Sequence, residues 1–179
     1  MVDQMLGGLF GGPDSDRVRS QAQDFVTRYN QGQPHEGYDN QEVVNQFRNA
    51  ARNAQPQDME NAATEAFSRM PREQRREYRR AMRQRGYRQF QGDDNDDPRV
   101  LAQQTQGFMK EQAEQHPGGI EGFLGNLFGH GNANQPATQQ TQAQPQEQGS
   151  ILDNTAVKAA MAGMAAFALK QMMDKQHRS

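Results

Sequence analysis

Residues 39–90, DNQEVVNQFRNAARNAQPQDMENAATEAFSRMPREQRREYRRAMRQRGYRQF, hold the most regular helical pattern in this 179-residue sequence. Apolar side chains recur there at spacings of three and four residues, which is the spacing of one face of an α-helix. Pro56 and Pro71 suit the first turn of a helix, and Gly86 suits the end of one. The stretch therefore predicts three short helices with tight connections, which pack antiparallel or at steep angles.

A fourth helix is predicted before this stretch, over residues 14–31, with Gly32 just beyond its end. The stripe expected to face the core consists of Val18, Ala22, Phe25, Val26 and Tyr29. We therefore expect a four-helix module over residues 14–91. A further helix is predicted to begin at Pro98, directly after an acidic turn.

The predicted helix that follows Pro71 is strongly basic. Eight arginines against two glutamates between residues 71 and 90 give it a formal charge of +6. Such a surface attracts nucleic-acid phosphates, anionic lipid headgroups or an acidic partner protein, and it is also typical of the solvated outer face of a helical bundle. Four of the arginines share one helical stripe at i, i+4, i+7 and i+11, and they are the candidate anion-binding residues: Arg72, Arg76, Arg79 and Arg83.

Two short apolar segments, residues 1–12 and 120–130, resemble each other without a gap. The second segment closes a region, 98–130, that begins with the further helix. Three interpretations are open: docking into a groove of this or another copy, insertion into a membrane surface, or no fixed structure, because short glycine-containing helices are marginal in water. Asp3 and Glu121 count against an anionic membrane. The candidate apolar contact residues are Leu6, Leu9, Phe10, Phe123, Leu124, Leu127 and Phe128.

The end of the sequence divides into a linker and an apolar tail. Residues 131–150 are rich in glutamine and lack large apolar side chains, so we expect a flexible, disordered linker. Residues 151–175 are rich in Ala and Met and predict a last helix, whose small residues permit close helix packing. Its contacts are open to association with itself or with the module, to a membrane interface, or to packing within the main fold. Met161 and Met164 are its candidate contact residues.

The composition favours no catalytic chemistry. The absence of cysteine excludes disulfides and thiolate chemistry, and the four histidines show no zinc-binding spacing. No catalytic or cofactor-binding motif is recognisable. Neither a signal peptide nor a membrane-spanning run is visible. We therefore expect a cytoplasmic protein that is not an enzyme and holds no cofactor or metal, with peripheral membrane attachment as a further option.

Three stretches of the sequence resemble small uncharacterised bacterial helical proteins that also have a glycine-rich apolar N-terminus. These are YDNQEV at 38–43, AFSRMPREQRREY at 66–78, and the small-residue helix at 156–169. Gln74 stands where those proteins usually have Glu. The resemblance implies a bacterial, mostly helical protein, and it implies no activity.

Taken together, the sequence predicts an all-α protein: a small helical bundle with a flexible linker and a separate C-terminal apolar helix. The predicted function is that of a noncatalytic helical interaction protein. It is expected to self-associate, or to attach to another protein or a membrane surface, through its apolar helices. The alternative is a nucleic-acid-binding protein that uses the Arg-rich helix at 71–88. No small-molecule substrate is indicated.

Overall fold

The computed structural model describes residues 13–32, 37–92, 94–116, 118–119 and 151–177, and these contain six α-helices and no strand. The all-α fold class predicted from the sequence is therefore confirmed. The helices are α1 (Pro13–Gln31), α2 (Asn40–Asn53), α3 (Pro56–Arg69), α4 (Arg72–Gln84), α5 (Pro98–Gln115) and α6 (Thr155–His177). Short 3-10 turns occur at Arg88–Phe90, after α4, and at Ile151–Asp153, before α6.

Local sequence signals account for where the helices begin and end. The carboxylate of Asp39 accepts the backbone N–H of Gln41 at 2.8 Å, which caps the start of α2. Asp97 caps α5 in the same way by accepting the backbone N–H of Arg99 at 2.9 Å. Gly86 has φ of +79°, a left-handed conformation that favours glycine and terminates α4.

Helix α6 lies at the centre of the bundle, where it contacts α1, α2, α3 and α4. Every residue from 159 to 169 is buried, and these side chains belong to the same hydrophobic core as those of the earlier helices. This packing shows that the C-terminal helix is part of the bundle, so the expectation of a separate helix was wrong. A helix that is apolar on all sides needs neighbours on all sides, and the other helices supply them.

The small residues of α6 allow this close packing. A Cβ atom built on Gly163 would lie 2.8 Å from the Cβ atom of Ala66 on α3, which is too close for two carbon atoms. The backbones of α3 and α6 therefore approach each other at a point where neither carries a bulky side chain. This is the use that the sequence predicted for small residues spaced along the last helix.

Polar contacts fix both ends of α6. Asn154 accepts the backbone N–H groups of Ala156 and Val157 and caps the helix, while its side-chain amide donates to Glu77 of α4 at 3.2 Å. Near the other end, the Lys175 ammonium lies 2.7 Å from the carboxylate of Asp58, at the start of α3. These contacts determine how far α6 is inserted into the bundle.

Helix α5 packs on α3 and on the turn Arg88–Phe90. The hydroxyls of Tyr78 and Thr105 are hydrogen-bonded at 2.8 Å in the buried region between α4 and α5. The rings of Tyr87 and Phe90 both pack against Phe108 of α5, with centroids 4.2 and 6.3 Å away respectively. Aromatic rings thus supply much of the core in this region.

The inward stripe predicted for α1 is buried except at its first position. Ala22, Phe25, Val26 and Tyr29 lie in the core. Val18 is 43% exposed and is the one exposed large hydrophobic residue in the described part of the chain. The prediction that Val18 faces the core is therefore wrong, because the buried part of α1 begins one turn later, at Ala22.

Candidate functional surfaces

The arginine stripe of α4 faces a segment of its own chain, residues 90–96, of which the structure describes 90–92 and 94–96. Arg72 and Arg76 both donate through Nε to the same Oδ2 atom of Asp96, at 2.8 and 2.9 Å. The side chain of Asp96 is only 14% exposed, whereas the two arginines are 64% and 49% exposed. One mostly buried carboxylate is therefore shared by two largely exposed guanidinium groups, and it neutralises part of their combined positive charge.

Arg83 donates hydrogen bonds to the first part of the same segment. Its Nε donates to the carbonyl of Phe90 at 3.2 Å, and its Nη2 donates to the carbonyl of Gly92 at 3.1 Å. The same Nη2 lies 2.8 Å from Oδ1 of Asp94, whose side chain is 87% exposed. Arg83 thus bonds to both the backbone and a carboxylate of the segment.

Arg79 differs from the other arginines of the stripe because its side chain is buried. It is 4% exposed, although its stripe was predicted to be available to an external anion. Its Nη1 donates to the carbonyl of Asn95 at 2.7 Å. Its Nε and Nη2 are buried and have no hydrogen-bond partner among the described residues. The structure therefore encloses a guanidinium group with only part of its donor capacity used.

Sequence reasoning missed Arg75, which also contacts this segment. Its Nε donates to the carbonyl of Asp96 at 2.8 Å, and its Nη1 donates to the carbonyls of Met70 and Phe67 at 2.6 and 3.3 Å. Arg75 lies four residues before Arg79 on α4, beside the stripe that was singled out. The i, i+4 spacing was visible in the sequence, but the carbonyl partners were not.

The arginines lower the pKa values of the Asp94 and Asp96 carboxyl groups. The hydrogen bond from Arg72 is the main reason that the pKa of Asp96 lies below its ordinary value, and Arg76 adds to the effect. The hydrogen bond from Arg83 is the main reason that the pKa of Asp94 is lowered, and the charges of Arg79 and Arg76 contribute further. Both carboxylates are therefore ionised partners of this face at neutral pH.

The other candidate contact residues divide between the core and the segments that the structure does not describe. Met161 and Met164 are 7% and 1% exposed and lie in the core, so they contact the other helices of the bundle. The remaining candidates lie outside the described residues: Leu6, Leu9, Phe10, Phe123, Leu124, Leu127 and Phe128.

A groove of 430 Å³ runs between α3 and α6. The ring of Phe167 lies beside it, with the guanidinium of Arg69 stacked 4.7 Å from the ring centroid. Acidic and basic side chains alternate along its rim, including Glu65 and Lys170. The mixture of charges favours no single class of ligand.

Within the described ranges, no helix is both long enough and apolar enough to cross a membrane. Comparisons of the chain with protein families, curated proteins and solved structures found no match.

Proposed function

We propose that this protein is a noncatalytic helical interaction protein that self-associates through its two similar apolar segments, residues 1–12 and 120–130. The observation that carries the proposal is the contrast between these segments and the bundle. Val18 is the one exposed large hydrophobic residue in the part of the chain that the structure describes. The segments, in contrast, carry seven large apolar candidates in a pattern that occurs twice.

The central position of α6 reduces the number of apolar surfaces that are available for self-association. Because Met161 and Met164 lie inside the core, the described side chains of α6 include no exposed large apolar residue for a second molecule. The two segments are then the source of apolar contact area, and aromatic side chains such as Phe contribute strongly to the energy of protein interfaces because they bury a large area. Because the two segments are similar, we expect them to make similar contacts in every copy of the protein. A symmetric assembly requires that every copy make the same contacts.

The test compares the full chain with a variant that carries Leu6→Ser, Phe10→Ser, Leu124→Ser and Phe128→Ser. A control variant carries four Gln→Ser changes in the linker at 131–150, which alter the same number of residues without removing apolar area. Light scattering after size-exclusion chromatography should show an oligomer for the full chain and the control, and a monomer for the segment variant. A monomeric wild-type chain at high micromolar concentration would refute self-association.

A second arm separates self-association from membrane attachment. The same three proteins are mixed with neutral and with anionic liposomes and subjected to flotation. We expect all three to remain with the unbound fraction. Flotation of the wild type, lost in the segment variant, would assign the segments to a membrane surface instead. Deletion of the C-terminal helix is unsuitable for this comparison, because α6 is part of the core.

The nucleic-acid alternative receives no added support from the geometry. All four arginines of the stripe donate hydrogen bonds to residues 90–96 of the same chain. A duplex that approached this face would compete with those bonds along the whole length of α4. We therefore retain the interaction protein as the proposed function.

A further inference from the structure

The face of α4 that covers residues 90–96 carries more positive charge than its internal partners neutralise. Five arginines of α4 donate hydrogen bonds to this segment: Arg72, Arg75, Arg76, Arg79 and Arg83. Asp94 and Asp96 of the segment accept from them, Glu73 of α4 itself lies 3.6 Å from Arg76, and the other described acceptors in the segment are backbone carbonyls. Carbonyls satisfy donors without neutralising charge, so the face keeps an excess of positive charge.

The buried part of this excess positive charge belongs to Arg79. Its guanidinium is a cation, and it is buried with Nε and Nη2 unpartnered within the described part of the chain. A buried cation without a full set of acceptors is costly. An acceptor with several oxygens would remove that cost, and the carbonyl of Asn95 supplies only one.

We propose that this face binds a small multivalent oxyanion of the phosphate class, centred on Arg79 and flanked by Arg76 and Arg83. In this arrangement Asp94 and Asp96 act as an internal ligand that the oxyanion displaces. The two flanking residues lie three residues before and four residues after Arg79, which places all three on one side of α4. The proposal concerns a different surface from the apolar segments and stands independently of self-association.

The chemistry favours phosphate over a further carboxylate. A guanidinium group offers a planar fork of N–H donors that matches two oxygens of a phosphate. A carboxylate has two oxygens, and both Arg72 and Arg76 already use one oxygen of Asp96. A tetrahedral oxyanion has oxygens for several arginines at once and carries more charge. Such a ligand suits a face that holds five arginines.

The experiment is isothermal titration calorimetry of the full chain with inorganic pyrophosphate at an ionic strength of about 0.15 M, where attraction between distant exposed charges is largely screened. Arg76→Gln removes one flanking group that is already half exposed, so the fold should tolerate the change. We expect this variant to lower the affinity about tenfold, which is the usual consequence of losing one charge-assisted hydrogen bond. Asp96→Asn removes the internal competitor and is expected to raise the affinity about threefold or more.

The matched control is Arg80→Gln, which removes an equal charge from the same helix at an exposed position. Its affinity should stay within about twofold of the wild type, since diffuse charge attraction is screened by salt. Equal losses for Arg80→Gln and Arg76→Gln would show general attraction to a basic surface and overturn the proposal. Absence of saturable pyrophosphate binding in both the wild type and Asp96→Asn would also overturn it.

A direct readout places the ligand at Arg79 without a substitution there. The Nε–H resonance of Arg79 should shift on titration with pyrophosphate, because this buried donor gains an acceptor. A pyrophosphate titration that moves only the resonances of exposed arginines, such as Arg80, would contradict the assignment. Binding of a long single-stranded oligonucleotide without any binding of pyrophosphate would likewise refute the small-anion site.

Discussion

Gly163 of α6 lies against Tyr29 of α1 so closely that a Cβ atom built on the glycine would be 2.7 Å from the tyrosine hydroxyl oxygen. Tyr29 is held in place by its ring contact with Phe167, at a centroid separation of 5.4 Å. The ring cannot move away without disturbing the core. The absence of a side chain on Gly163 therefore allows α1 and α6 to pack this closely.

Gly163→Ala should destabilise the protein, although alanine is the better helix former by about 1 kcal/mol. The added methyl group collides with Tyr29 on one side and with Ala66 on the other. Overpacking of this kind costs about 1–3 kcal/mol. Urea unfolding followed by circular dichroism measures the change.

Gly107→Ala is the matched control for that substitution. It places the same methyl group in α5, where its nearest contact is the Gln89 side chain at an ordinary 3.7 Å. We expect this variant to be more stable than the wild type by about 0.5–1 kcal/mol, because helix propensity acts without a clash. Equal effects at Gly163 and Gly107 would argue against the close packing of α6.

Tyr78 and Thr105 should be coupled in a double-mutant cycle. Their hydroxyls are 2.8 Å apart, and both residues are buried. Tyr78→Phe leaves the Thr105 hydroxyl without this partner, so we expect a loss of about 1–2 kcal/mol. Thr105→Val added to Tyr78→Phe should cost little more, because no orphaned hydroxyl remains. Strictly additive losses in chemical unfolding would show that the two groups do not interact.

Met164→Ala tests whether α6 belongs to the core. Met164 is 1% exposed, and removal of a fully buried side chain leaves a cavity that costs about 2–5 kcal/mol. Met172, half-buried near the end of the same helix, is the control, and Met172→Ala should cost less. Light scattering should show the same oligomeric state for both variants. A Met164→Ala protein of wild-type stability with altered oligomeric state would place α6 at an interface.

The pKa of Asp96 should rise toward its ordinary value of 3.8 when its arginine partners are removed. The folded pKa is lowered, chiefly by the hydrogen bond from Arg72. The ion pair is therefore complete above the ordinary pKa and is lost as the pH falls through the folded pKa. Carboxyl carbon NMR during acid titration checks this for the wild type and for Arg72→Gln. Arg80→Gln, at an exposed position on α4, should leave the Asp96 titration unchanged.

Alkaline pH should destabilise the fold through its buried tyrosines. Burial raises the pKa of Tyr29 from 10.0 to about 12, and burial raises that of Tyr38 to about 12. The unfolded state therefore loses these protons first, so their contribution is complete below about pH 10 and is lost as the pH rises through the folded pKa. Unfolding by urea at increasing pH should show the decline.

Tyr29→Phe isolates one of these contributions. The Tyr29 hydroxyl is buried without a hydrogen-bond partner among the described residues, so its removal should leave stability at neutral pH within about 1 kcal/mol of the wild type. The variant should lose less stability than the wild type between pH 9 and 11, by the linkage of proton binding to unfolding. An identical decline in both proteins would mean that Tyr29 ionises normally in the fold.

The helices themselves were predictable because their ends depend on local chemistry. Pro56 and Pro98 act through their restricted backbone, and Gly86 acts through its freedom to adopt a positive φ. Asp39 and Asp97 act on N–H groups two residues away. The roles of the arginines in α4 were not predictable. Arg72 and Arg76 meet Asp96 across 24 and 20 residues, and that pairing depends on how the segment after Arg88–Phe90 folds back.

One signal for the position of α6 was present in the sequence. No leucine or isoleucine occurs from residue 11 to residue 100, so the first four helices lack the leucine and isoleucine side chains that are usual in a core. The core gains them from later in the chain, through Leu101, Ile151, Leu152 and Leu169. The deficit in one region and the surplus in another indicated that the two regions pack together.

The sequence by itself determined the all-α class, the helix ends and the small-residue character of α6, because propensity, capping and spacing act over a few residues. Tertiary structure alone decided which helices surround α6 and that Arg79 is enclosed. Burial is a property of the surroundings: contacts such as Lys175 with Asp58, 117 residues apart, form only when distant helices meet. Side chains that look available along a helix are then covered by whatever packs against them.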